Sequence, residues 1–359
     1  MTAGAAVRER AATDPQALLD AVTARFNLAV RAAGVHECSV AVGQKTLTCR
    51  FAGRALDPVF ARALRHLVVP TVDRPDATVF IWDSASTGVP MVQAPWSADD
   101  YNIRGEVKNW SHPTIVTALN PDGLILSMYD AATATGIVWA RDWRTVPYYE
   151  QGAPLRFILQ WWMRQHGRQL LHAGAIGTSR GAVLLAGRGG SGKSNTALGA
   201  FQTSLQYLAD DYCGVEVNPS PRVFSIYSTG KTHAADVHRL PFLQPHISNP
   251  ASLSTEKALY YLHESFPERI CRDAPVTAIL MPHVTSASTT RLRPASAAEA
   301  LRALAPSTIG QLAYAGAEVT RVISELARRV PCLHLDIAAN GAAPAADIET
   351  WLRAEGVLA

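Results

Sequence analysis

Cysteine is scarce in this chain. Five occur among 359 residues: Cys38, Cys49, Cys213, Cys271 and Cys332. They are scattered and form no Cys-x-x-Cys pair, which argues against a disulfide framework or a structural zinc site. An excess of one charge sign is lacking too. Lys plus Arg number 33 and Asp plus Glu 30, a formal net charge of +3, so no overall field draws the chain to nucleic acid or an anionic membrane. No uncharged apolar run reaches the roughly 18 residues of a membrane-spanning helix. Residues 1–15 carry Arg8, Glu9, Arg10 and Asp14 but no apolar centre, so the expectation is a cytoplasmic chain without a secretory signal. Internal repeats and low-complexity tracts are absent. What remains is an ordinary globular composition, 48% hydrophobic and 18% charged, long enough for about two domains of roughly 150 residues.

Residues 1–15 read as an Ala-rich tail or the start of a helix. Asp14-Pro15 then opens a helix over 16–33, with Leu18, Leu19, Val22, Phe26, Leu28 and Val30 as its apolar positions. Residues 39–42 and 46–51 read as short strands joined at Gly43-Gln44-Lys45. A second helix is expected over 58–68 and a strand over 78–82. Residues 91–150 are rich in Trp and Tyr without helical period, which predicts small strands and loops around a mixed core, or an aromatic groove for an extended polypeptide. Residues 155–165 read as a helix bridging the halves. From Gln169 onward strands and helices alternate. The expected division is a smaller α+β domain over 1–155 and an α/β catalytic domain over 156–359.

The segment carrying chemistry is 181–194. Gly187, Gly192, Lys193 and Ser194 fill G-x-x-x-x-G-K-[ST], with Arg188, Gly189, Gly190 and Ser191 between them. A short apolar run, residues 182–186, precedes the loop as a buried parallel strand would. A helix beginning at Asn195 follows it. Glycines let the backbone turn its N–H groups toward phosphate oxygens without Cβ clashes. The start of the helix adds free donors. Lys193 reaches toward the β- and γ-phosphates of a bound nucleotide, and the Ser194 hydroxyl suits Mg2+. Next, the strand over 205–209 ends in Asp210-Asp211. Functional groups cluster at the carboxyl ends of strands in parallel α/β folds. Neighbouring strand residues point opposite ways, so one carboxylate is expected to act as base toward an acceptor hydroxyl and the other to support Mg2+. His172 sits upstream, at or beyond the end of a strand of the same sheet.

Residues 171–176, 187–194 and 208–211 together resemble the HPr kinase/phosphorylase family, whose P-loop fold is related to phosphoenolpyruvate carboxykinase. Residues 82–90, 139–154, 227–232, 256–258 and 300–307 extend the resemblance over most of the chain to the HPr-kinase-like proteins of lasso-peptide biosynthetic clusters. That likeness implies an ATP- and Mg2+-dependent kinase. Its acceptor would be a serine, typically the C-terminal one, of a ribosomal precursor peptide. It implies Asp210 as base, Lys193 as phosphate lysine, Ser194 as the metal-binding hydroxyl, Asp211 as a support for the metal or the base and His172 as an orienting group. The downstream Gly-rich signature of the HPr enzymes is missing, so HPr itself and the reverse phosphorylase reaction do not follow. Lys231 and Lys257 become candidates for further positive charge around the phosphoryl group. No catalytic constellation is expected beyond residue 275. Alternatives are a kinase of another protein or a small molecule, and a nucleotide-dependent regulator or ATPase without acceptor.

Overall fold

The structure is a computed structural model that describes residues 12–338 and 344–358; the expectation for the N-terminal tail therefore lies largely outside the described residues. In chain order the first elements are α1 (Pro15–Ala33), β1 (Val35–Val42), β2 (Lys45–Ala52), α2 (Asp57–Leu64), β3 (Val68–Val69), β4 (Ala77–Asp83), α3 (Ser84–Thr87), β5 (Ile115–Asn120), β6 (Ile125–Asp130) and β7 (Thr135–Ala140). Contacts divide the chain into two units. One takes the chain up to Ser39 with Leu47–Val59 and Thr71–Pro147; the other takes Val40–Thr46, Phe60–Pro70 and the chain from Tyr148.

In the first unit Asp14 caps α1 by accepting the Ala17 amide, and Pro15 occupies the first turn, where its missing N–H costs nothing. The apolar stripe of α1 buries Leu18, Leu19, Val22 and Phe26 against Trp82, Ile115, Leu126, Met128 and Ile137. Phe26 stacks on Phe80 with centroids 4.7 Å apart. Leu28, expected on that stripe, points outward and is exposed. The strands run in the order β1-β2-β4-β7-β6-β5. β4 is parallel to β2 and β7, while β6 is antiparallel to β5 and β7. Trp96 and Trp110 meet edge to face and pack on the core, as core filling requires. The helix expected over 58–68 ends at Leu64, and one 3-10 turn carries the chain into β3.

The second unit continues with α4 (Tyr148–Gly152), α5 (Arg156–Gln165), β8 (Arg168–Leu171), β9 (Gly174–Thr178), β10 (Gly181–Leu185), α6 (Lys193–Gly199), β11 (Gln206–Ala209), β12 (Cys213–Glu216) and β13 (Arg222–Ser225). After these come β14 (Thr229–Thr232), β15 (Ala258–Tyr261), α7 (Leu262–Ser265), β16 (Asp273–Val284), β17 (Arg291–Ala295), α8 (Ala297–Gln311), α9 (Ala317–Arg329), β18 (Cys332–Ile337) and α10 (Pro344–Ala354). Among the described residues nine strands form one sheet, ordered β11-β9-β10-β16-β13-β12-β8, with β18 beside β16 and β17 outside it. The architecture is mixed α/β.

The buried parallel strand expected before the glycine loop is β10, but only one of its neighbours is parallel: β16 is, and β9 is antiparallel. β16 does not end before Pro282. It runs on to Val284 beside β18, because β10 pairs only as far as Leu280 and a proline is tolerated where a ladder has stopped on one side.

Candidate active site

Topology explains why distant segments meet. β9 is antiparallel to both β10 and β11, so β10 and β11 run the same way. Leu185, the last residue of β10, faces Gly174 at the start of β9. Ala209, the last residue of β11, faces Ala175. His172, just before β9, the loop 187–192 after β10 and Asp210-Asp211 after β11 therefore share one sheet edge.

Gly190 and Gly192 hold φ of +80° and +105°, values L-residues rarely adopt. A Cβ on Gly192 would stand 2.9 Å from Ile337 Cδ1. Lys193 is buried and donates from Nζ to the Gly187 and Arg188 carbonyls at 2.5 and 3.1 Å. Burial pulls the Lys193 ammonium below its usual range, Asp210 and Asp211 offset this, and Lys257 adds to it.

Asp210 and Asp211 differ sharply. Asp210 is 2% exposed. Its Oδ2 accepts the Lys231 amide at 2.8 Å, whereas Oδ1 is buried without a well-formed hydrogen bond. Burial raises its pKa, and the Asp211 charge raises it further. The Ser194 hydroxyl and Lys231 offset only part of this. Asp211 has a side chain 27% exposed and ion-paired through Oδ2 to Lys231 Nζ. Burial opposes its charge, but Lys231 foremost, then His172 and Lys257, hold it well below the usual carboxylate range. One residue of β14 thus binds both acids, by its amide and by its ammonium. Lys231 stays charged although burial opposes it, because Asp211 prevails. The β14–β15 pair sets Thr232 opposite Ala258, which brings Lys257 to the same wall.

His172 is 8% exposed and is pushed down to about 4, mainly by burial and then by Lys193, Lys231 and Arg156, against the pull of Asp211. It is a neutral imidazole at neutral pH. Its amide donates to Thr308 Oγ1 at 3.1 Å, and its Nε2 lies 3.8 Å from Asp211 Oδ1.

These groups surround a cavity of about 790 Å3, within the range of small-molecule sites. Arg188, Gly189, Gly190, Gly192, Lys193, Ser194, Asn195, His172, Asp211, Lys231 and Lys257 line it; Gly187, Ser191 and Asp210 do not. Sequence reasoning missed other parts of the wall. Tyr148 and Tyr149, within the resembling stretch 139–154, and His233, Asp236 and Arg239, which no motif marks, also line it. Pro306, Ser307 and Gln311 of α8 also line it, in the stretch beyond residue 275 that was expected to be scaffold. Pro306 and Ser307 fall within the resembling stretch 300–307, whereas Gln311 lies outside it and carries no signal beyond being a polar residue of a helix.

Hard oxygen donors suit Mg2+, which takes one or two carboxylates and fills its remaining positions with phosphate and water. Ser194 beside the orphaned Asp210 Oδ1, with Asp211 facing the cavity, is such a set. Among the described residues no cluster of three or more His, Cys, Asp or Glu exists that would hold a metal by protein ligands alone.

No family model matches this chain, and no curated protein matches it. Among solved structures, the HPr(Ser) kinase/phosphatase from Coxiella burnetii is similar over 53% of this chain and 97% of that one, with 11% identity and a TM-score of 0.29. At that level the chemistry of the site rests on its own geometry. Among the described residues no helix is long and apolar enough to cross a membrane.

Proposed function

We propose that this chain is an ATP- and Mg2+-dependent kinase that transfers the γ-phosphoryl group to a serine hydroxyl of a ribosomally made precursor peptide, the C-terminal serine being the expected acceptor. One observation carries the phosphoryl-transfer part. The glycine loop with Lys193 and Ser194 opens into the same cavity as the Asp211–Lys231 pair and His172, with Asp210 directly behind. Phosphoryl transfer asks mainly for positioned cations, a metal and a weak base; this cavity presents the cations and the hard oxygen donors that suit Mg2+, with Asp210 behind its wall. The peptide acceptor rests on the sequence resemblance.

In this reading Arg188 and Lys193 hold the phosphate chain, and Ser194 with Asp211 would hold Mg2+, which neutralises charge on the phosphates when bound. Asp210, the carboxylate with raised proton affinity, takes the proton of the acceptor hydroxyl at its uncommitted Oδ1, which the bound acceptor must reach behind the cavity wall. A base this weak suffices where cleavage to the leaving group runs ahead of proton removal. Lys231 and Lys257 add positive charge near the transferred group. The first unit would recognise the peptide, an extended segment adding as a strand at an edge of its sheet; β5 is not that edge, because Gly105 and Glu106 already pair with Leu119 and Ala118.

The test is incubation of the full chain with ATP, Mg2+ and a candidate precursor peptide, read by mass spectrometry. A product heavier by one phosphoryl group is expected. ATP consumption without it would overturn the kinase reading in favour of an ATPase or regulator. Lys193→Ala is expected to lose ATP affinity and transfer together. Asp210→Asn is expected to keep ATP affinity and lose transfer; transfer retained in that variant would move the base elsewhere. Slowed amide exchange at an edge strand of the first unit on adding the peptide would support docking there, and unchanged exchange throughout residues 12–147 would remove it.

A further inference from the structure

The cluster around Asp211 reaches beyond its ion pair, to the last residue of α8. Gln311 stands between Tyr212 and His172, with its amide oxygen toward the tyrosine and its NH2 toward the imidazole. Arg156, itself paired with Glu150 at 2.9 Å, carries donors only. The Tyr212 oxygen accepts from Arg156 Nη1 at 3.2 Å, and its O–H donates to Gln311 Oε1. With that oxygen engaged, the Gln311 NH2 faces His172 Nε2 at 3.4 Å. Two donors do not face one another, so Nε2 is the acceptor and the ring proton resides on Nδ1. Nδ1 is buried with no partner and makes no hydrogen bond that would favour either tautomer. Asp211 Oδ1, 3.8 Å from Nε2, makes no hydrogen bond to the ring at that distance; its charge favours a proton on Nε2, and the Gln311 NH2 facing that nitrogen opposes it. Thr308, on the same turn of α8, accepts the His172 amide. One helix end therefore grips His172 by backbone and by ring.

We infer that Gln311 is a positioning residue: by donating to His172 Nε2 it stops the imidazole from donating to Asp211, and so leaves Asp211 Oδ1 open to the cavity. Lys231 already occupies Oδ2. A histidine N–H on Oδ1 would engage the carboxylate's remaining oxygen, the one a metal would need. The functional consequence rests on the kinase reading above; the placement of the proton does not.

The experiment uses the full chain with 15N-labelled histidine. Long-range 1H–15N correlation distinguishes the two neutral tautomers, and the His172 signals are assigned by their loss in His172→Gln. The wild type is expected to show Nδ1–H. Gln311→Glu presents only acceptors and is expected to move the proton to Nε2. In that variant kcat for transfer should fall by about tenfold or more, while KM for ATP stays within about threefold. Tyr212→Phe, which frees the Gln311 amide to turn, should give a mixture of tautomers and decides the matter with the wild type if Gln311→Glu does not fold. An Nε2–H ring in the wild type, an unmoved tautomer in the variants, or a moved tautomer with unchanged kcat would each overturn the inference. An inactive protein with an Nδ1–H ring would instead overturn the kinase reading and leave the proton placement standing.

Discussion

Lys231 bonds to both acids of the site, and this makes the two aspartates unequal in energy. Removing the Asp211 charge leaves a buried ammonium without its counter-ion. Asp211 keeps some solvent contact, so Asp211→Asn is expected to lower stability by about 1–3 kcal/mol rather than the full cost of a sealed pair. Asp210 is the reverse case. Its charge is opposed by burial and by Asp211, and an asparagine oxygen still accepts the Lys231 amide. Asp210→Asn is expected to fall within about 1 kcal/mol of the wild type or above it. Urea midpoints of the two variants check the order, and equal losses would contradict it. The motif spacing made Lys193, Ser194 and the acidic pair legible. It carried no information on which acid Lys231 would neutralise, because that pairing depends on β14 returning to the end of β11.

Among elements, the glycine loop shows how backbone conformation limits substitution. Gly192 combines φ of +105° with a Cβ position 2.9 Å from Ile337 Cδ1. Gly192→Ala therefore meets both left-handed strain and a steric conflict, and is expected to lower stability by about 1–3 kcal/mol. Gly189 has open space at the corresponding position, and Gly189→Ala is expected to stay within about 0.5 kcal/mol. Thermal unfolding of the two variants separates these outcomes. At this scale α1 was legible from its cap and its stripe, and so was the order strand, loop, helix at 181–199. The antiparallel setting of β9 was not, since an apolar run buried on both faces reads the same whichever way its neighbour runs. The contribution of α8 was also hidden. Thr308 and Gln311 are ordinary helix residues until the fold turns that end toward His172.

At the scale of the whole molecule, buried imidazoles tie stability to pH. His66 is 2% exposed and its Nε2 lies 2.8 Å from Ser225 Oγ. Burial first, then His263 and Arg272, push it down to about 3. Below its ordinary value near 6.5 the unfolded chain takes up a proton that the folded ring refuses. The stability present above that pH is therefore lost as the pH falls toward the folded value. Asp210 acts with the opposite sign, since its raised pKa favours the folded state on acidification. Comparison with His66→Gln isolates the histidine. Between pH 7 and 4 the wild type is expected to lose about 3 kcal/mol more than the variant, measured by urea unfolding at each pH. Parallel pH profiles would show that His66 does not contribute.

By itself the sequence determined what depends on neighbours along the chain: the cap and stripe of α1, the glycine spacing that lets a loop fold around phosphate, and the adjacency of Asp210 and Asp211. Tertiary structure decided what depends on distant segments meeting at one sheet edge. It set Lys231 on both acids, placed Asp210 behind the cavity and Asp211 in it, and brought Gln311 against His172. The physical reason is that charge pairing and hydrogen-bond direction depend on distances of a few ångströms between residues such as Asp211 and Gln311, and sequence periodicity does not encode those distances.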